Sequence, residues 1–285
     1  MTEQTLRLDG GTATELQRGG IAVTAPWWTT RAVLSDERRT VLRGVHERYL
    51  RAGADVITAN TLRCNLRTLQ RAGLQDAGLA WMVHAAVGVA LAARLAAGTA
   101  DTRIVGSVAP VEDCYRPDLV PADDELRTEH AWLATELSRA GVRDALVETM
   151  NTEREARIAV HAAQSAGLGA WVSFACTADA RLLSGEPLAT AAKAVESDGA
   201  AMVMVNCTTP EHTEECLRVL AGACAGPIGA YPNLENRDGA PEAALNPEAF
   251  ADLAARWRDD YGLAAVGGCC GCTPAHIARM SARLG

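Results

Sequence analysis

The sequence predicts a single-domain α/β barrel of eight parallel strands, each followed by a helix. Short apolar runs recur eight times along the 285 residues, separated by stretches in which apolar side chains fall at helical spacing. Most of these runs are continuously apolar rather than alternating, as strands covered on both faces should be. An open doubly wound sheet would need Gly-x-Gly-x-x-Gly after its first strand, and Asp9-Gly10-Gly11 is a poor substitute. The length suits one (β/α)8 TIM barrel.

Residues 5–8 alternate and run into the glycine turn Asp9-Gly10-Gly11-Thr12, a first short strand. Residues 16–30 read as a loop around Pro26-Trp27-Trp28. Residues 36–52 place Val41, Leu42, Val45, Tyr49 and Leu50 at helical spacing. Further strands are expected at 55–58, 103–108, 144–148, 170–174, 201–206, 227–231 and 264–266. Further helices are expected at 75–97, 123–140, 152–166, 187–197, 210–223, 247–261 and 274–284. Thr273 and Pro274 suit the cap and first position of the last one. The loops 16–30 and 234–245 are the expected lids. No linker or repeat interrupts the series, so 1–285 reads as one domain.

Composition narrows the partners. A formal net charge of -8 argues against nucleic acid or an anionic membrane. No run long enough to span a bilayer and no signal peptide is apparent. Nine cysteines, an odd number at irregular spacing, fit a reducing cytoplasm better than a disulfide framework. A monomer or small homo-oligomer acting on small molecules is expected.

In such a barrel the site lies at the C-terminal ends of the strands. Those ends carry Asp9, Asn60, Glu148, Cys207, residues 231–233 and the pair Cys269-Cys270. Adjacent cysteines rarely bridge one another. On a tight turn they can grip a soft metal such as zinc, or be two buried small hydrophobes. With Cys207 at the same mouth, three thiolates are one short of a closed structural site, and an open fourth position marks catalytic zinc. Such an electron-rich metal suits an incoming thiol, which it would hold as a thiolate. The reaction class implied is alkyl transfer onto a thiol.

Several stretches run from end to end of the chain: Leu8-Asp9-Gly10-Gly11, residues 53–61, Gly106-Ser107-Val108-Ala109-Pro110, Glu148-Thr149, Val205-Asn206-Cys207, Tyr231-Pro232-Asn233 and Gly267-Gly268-Cys269-Cys270-Gly271. In these the chain resembles the homocysteine S-methyltransferases, zinc-dependent TIM barrels that make methionine. The resemblance implies Cys207, Cys269 and Cys270 as zinc ligands, with Asn233 a possible fourth before the thiol arrives. It also implies substrate contacts at Glu148, Asn206 and the Asp9-Gly10-Gly11 turn. Trp27, Trp28 and Asn60 are the expected donor pocket. An indole face there can meet a sulfonium or quaternary ammonium by cation–π attraction, or the tryptophans can simply form a lid.

S-methylmethionine or S-adenosylmethionine is the expected donor, with betaine the alternative; another small thiol or selenol could be the acceptor. A non-catalytic zinc- or thiol-binding barrel, acting as a sensor or as partner of a corrinoid protein, is the rival of a different class. The chain is expected to lack the folate, cobalamin and activation modules of methionine synthase, and the C-terminal extension of betaine-dependent relatives. Two departures from the family pattern stand out: Cys272, where a small hydroxyl residue is usual, and Leu62-Arg63-Cys64, where an aromatic-containing segment is usual. The six histidines read as surface or core residues, and Cys64, Cys114, Cys176, Cys216, Cys224 and Cys272 as packing, with Cys272 also placed near the site.

Overall fold

One parallel sheet organises the chain. Its strands are Leu6–Arg7 (β1), Val56–Ala59 (β2), Arg103–Val108 (β3), Asp144–Met150 (β4), Gly169–Phe174 (β5), Met202–Asn206 (β6), Ile228–Tyr231 (β7) and Ala265–Val266 (β8). They pair in the order β1-β8-β7-β6-β5-β4-β3-β2. A bridge between Leu8 and Val56 brings the two end strands together and closes the ring. The computed structural model describes residues 4–235 and 245–285. Most of the expected lid at 234–245, namely 236–244, lies outside the described residues.

The helices among the described residues are Thr12–Arg18 (α1), Asp36–Arg51 (α2), Leu66–Arg71 (α3), Ala77–Ala97 (α4), Asp123–Arg139 (α5), Glu153–Ser165 (α6), Leu188–Ser197 (α7), Pro210–Ala223 (α8), Pro247–Tyr261 (α9) and Pro274–Leu284 (α10). Local chemistry sets their starts. Ser35, Asn65, Thr152, Thr209 and Asn246 each accept a backbone N–H of the first turn, and Pro210, Pro247 and Pro274 occupy early helical positions. Thr273 is the N-cap of α10, as expected, and His276 completes a capping box with it. His276 Nδ1 accepts the Thr273 N–H at 3.1 Å, while its Nε2 donates to the Leu245 carbonyl at 2.7 Å.

Three expectations need correction. The stretch 16–30 is not a plain loop, because it contains the end of α1 and the start of a 3-10 turn, Trp28–Val33. α1 buries only Glu15 and Leu16, too few apolar residues for a periodic signal. α3 was also absent from the sequence reading; it is six residues long and buries Thr68 and Leu69. Finally, α4 is long and apolar enough by length and composition to cross a bilayer. Here it packs against α2 and α5, and Met82, Val83, Ala86, Val87, Ala90 and Ala93 form its buried face.

The strand period of two builds the site. Inside the ring Val56, Val105, Leu146, Trp171 and Tyr231 share one apolar cluster. Two residues beyond the first four of these, on the same faces, come Thr58, Ser107, Glu148 and Ser173. A polar layer therefore caps the apolar interior at the C-terminal mouth.

Candidate active site

A cavity of about 490 Å³ opens at this mouth, within the usual size for small-molecule sites. Its floor carries two buried carboxylates, Asp9 and Glu148, 5% and 7% exposed. Asp9 accepts the Thr58 N–H at 2.9 Å and the Thr58 hydroxyl at 3.0 Å. Glu148 accepts from the Ser107 hydroxyl and, at 3.5 Å, from Tyr231. Burial pushes both carboxyls up to about 7, more than these hydrogen bonds pull them back. Such groups gain by meeting a cation, which restores their ionised form.

Beside them Cys207, following β6, meets Cys269 and Cys270, following β8. The three sulfurs lie within 4.8 Å of one another, with Cys207 and Cys269 Sγ 2.6 Å apart. All nine cysteines are free thiols. Hydrogen bonding to Cys207 and Cys270, together with burial, holds the Cys269 thiol well above its usual range. Three crowded sulfurs resist ionising together unless a cation shares them. Bound to zinc at about 2.3 Å each, three thiolates would stand roughly 4 Å from one another. The donor set thus fits a soft divalent ion, and all three cysteines line the cavity.

Backbone ties aim these thiols. Cys269 N–H donates to the Pro232 carbonyl at 2.7 Å, Leu234 N–H to the Cys270 carbonyl at 2.8 Å, and Gly268 N–H to the Asp9 carbonyl at 3.2 Å. The turns after β1, β7 and β8 therefore form one unit. A Cβ on Gly11 would sit 2.6 Å from the Cys269 carbonyl oxygen, so only glycine allows that approach. Cys207 and Thr149 both have left-handed backbone, φ 49 and 59, unusual for residues with a Cβ and costly by roughly 1–3 kcal/mol each.

The structure does not bring every expected residue to the cavity wall. Asn206 is fully buried, and its amide is spent on Thr149. The Asn233 side-chain oxygen accepts the Cys270 N–H at 3.2 Å, next to the thiols. Gly10, Gly11, Asn60 and Trp28 line the cavity, whereas Trp27 packs against the core. Asn60 donates to the Thr29 carbonyl at 2.9 Å, tying the tryptophan turn to β2. The Arg63 guanidinium lies 5.8 Å from the centre of the Trp28 ring, so a cation already occupies that indole.

Tyr115 was missed as a site residue in the sequence, and Arg63 stood out only within the departing segment Leu62-Arg63-Cys64 beside the donor pocket. Tyr115 hydrogen-bonds the Cys207 thiol from the β3–α5 loop, where no local pattern marks it. Tyr231 was among the expected strand-end residues, and Ser107 could have been found from the strand period.

A barrel with three convergent cysteines and two buried carboxylates at its mouth defines a thiol-handling, metal-type site. A family model described as homocysteine S-methyltransferase matches residues 6–284, and the chain belongs to that family. It is 30% identical over 270 residues to methionine synthase of Mycobacterium tuberculosis, covering 88% of this chain and 22% of that protein's length. It is 26% identical over 307 residues to homocysteine S-methyltransferase 1 of Zea mays, covering 96% and 92%. The metallated form of the Escherichia coli homocysteine methyltransferase MmuM superposes with a TM-score of 0.86 at 25% identity, covering 99% of this chain and 96% of that one.

Proposed function

We propose that this chain moves a methyl group from a small onium donor to the sulfur of homocysteine, giving methionine, with zinc held by Cys207, Cys269 and Cys270. One observation carries this reading: three thiols within 4.8 Å of each other beside two buried carboxylates, in a chain of this family. Held by Cys207, Cys269 and Cys270, zinc would supply the Lewis acidity that keeps the acceptor sulfur unprotonated at neutral pH and able to attack the donor's methyl carbon.

The chain's own residues do the rest. Asp9 and Glu148 receive the acceptor's ammonium group, which offsets their burial. Ser107, Thr58 and Tyr231 fix the two carboxylates in place. Asn233, anchored beside Cys270, is the candidate fourth ligand before the thiol arrives. S-methylmethionine and S-adenosylmethionine come first as donors, because the thioether they release is a better leaving group than the tertiary amine betaine would release; betaine comes second. Nine free thiols, three of them metal donors, suit a reducing cytoplasm.

The test uses zinc-loaded protein. Homocysteine alone should release about one proton per site at neutral pH. Zinc K-edge absorption should show an added sulfur, and methionine should form once a sulfonium donor is supplied. Binding with neither proton release nor a new zinc–sulfur contact, and no methionine with any of the three donors, would defeat the reading. Thiol binding without turnover would instead favour the sensor.

A further inference from the structure

The acceptor end of the cavity carries the carboxylates Asp9 and Glu148, and among the described residues its lining includes one arginine, Arg63. Of its neighbours, Arg67 and Arg71 each pair with Glu112 at 2.8 Å. Arg63 has no such partner. Its Nη1 donates to the Glu112 and Pro110 carbonyls at 2.7 and 3.4 Å, and Nη2 to Cys114 Sγ at 3.3 Å. Among the described residues no carboxylate lies within ion-pair distance of it, and Nε–H and one Nη2–H have no partner. The side chain nevertheless lines the cavity and is held over Trp28. Among the described residues it is therefore a guanidinium fixed by loop carbonyls, with donors left over and no carboxylate to compensate its charge.

We infer that Arg63 is the receptor for the carboxylate of the methyl donor, and that the site selects onium donors carrying an anionic group. Three points favour the donor over the acceptor. Asp9 and Glu148 lie at the buried floor, whereas Trp28 is 39% exposed, so Arg63 meets the ligand that sits above the acceptor. The cavity of about 490 Å³ holds more than a molecule of homocysteine's size. A sulfonium cannot also stack on the indole face that Arg63 covers, and a donor without an anion would meet only repulsion there. A guanidinium paired with a carboxylate reverses that sign and orients the molecule. This rests on the proposed reaction only in assuming that a donor binds here.

The experiment reads binding without turnover. Calorimetry on zinc-loaded protein, with homocysteine omitted, compares S-methylmethionine with its methyl ester, which lacks the carboxylate. The wild-type chain should prefer the acid by about tenfold or more, the scale of a charge-assisted hydrogen bond. Arg63→Gln should reduce that preference to about twofold or less, and Arg63→Lys, which keeps charge but loses the fork, should fall between. Homocysteine affinity and zinc content should stay at wild-type values in both variants, which also shows that they fold. Equal binding of acid and ester by the wild type would overturn the inference. So would an Arg63→Gln variant whose loss falls on homocysteine, since the arginine would then serve the acceptor. Failure of methionine formation would sink the proposed reaction and leave this comparison standing.

Discussion

Asn206 grips Thr149 at two points: its Oδ1 accepts the Thr149 N–H at 3.1 Å, and its Nδ2 donates to the Thr149 hydroxyl at 2.8 Å. The two residues precede and follow the functional groups of neighbouring turns. Asn206 adjoins Cys207, and Thr149 adjoins Glu148. The grip holds Thr149 in its left-handed backbone and links the carboxylate turn to the thiol turn. Asn206→Ala removes no metal donor, yet it should weaken zinc binding by about ten- to a hundredfold, as loss of supporting groups commonly does. Competition with a chelator of known affinity measures this; unchanged zinc affinity would reduce Asn206 to packing.

Cys207→Ala, Cys269→Ala and Cys270→Ala should each lose most bound zinc, because three protein ligands leave no redundancy. Cys64→Ala and Cys216→Ala, whose buried thiols do not line the cavity, should keep both metal and turnover. Metal analysis of purified variants decides between these outcomes. Full occupancy in any of the first three would remove that residue from the site.

Glu148→Gln keeps the shape of the side chain while removing the charge offered to the acceptor's ammonium. Loss of a desolvated charged pair costs roughly 1.5–3 kcal/mol, or about ten- to a hundredfold in homocysteine requirement. Zinc content should not change. An unaltered homocysteine KM would leave Glu148 a structural residue.

Asp9 titrates at about 7 in the fold, against an ordinary 3.8. Between those values the folded chain keeps a proton that the unfolded chain has released. This group therefore favours the fold at low pH, and its contribution declines as pH rises through 7, by at most about 1.4 kcal/mol per unit. Asp9→Asn lacks that slope. The variant should thus gain stability relative to wild type between pH 5 and pH 8, in unfolding curves followed at both values. A difference that stays constant with pH would mean that Asp9 is ionised throughout.

Residue pattern carried some of this and not the rest. The eight strands were readable because buried parallel strands are short apolar runs, and the three cysteines because each follows one. α1 was not, because a seven-residue helix burying Glu15 and Leu16 has no periodicity to detect. Asn206 was expected at the substrate. An amide at a strand end looks the same whether it faces a ligand or a neighbouring turn, and only the β4–β6 geometry decides. Trp27 and Trp28 looked equivalent, yet the positive φ of Trp28 sends one to the cavity and the other to the core. Arg63 stood out as a departure, but its lack of a carboxylate partner is a fact of three dimensions.

β1 contributes only Leu6 and Arg7 to its ladder with β8, and meets β2 through the Leu8–Val56 bridge. The closure is reinforced by the Asp55 N–H donating to the Arg7 carbonyl at 2.8 Å and by the Arg7 side chain, bonded to Asp55 through Nε at 2.7 Å and Nη2 at 2.6 Å. The ring is thus a seven-strand curl fastened by a latch, and the latch continues directly into Asp9, Gly10 and Gly11. Fastening it completes the cavity floor and seats Gly11 against Cys269. Slow hydrogen exchange along β1 would then report an assembled site, and an occupied acceptor pocket would slow it further. In this chain, closing the barrel and finishing the active site are one event.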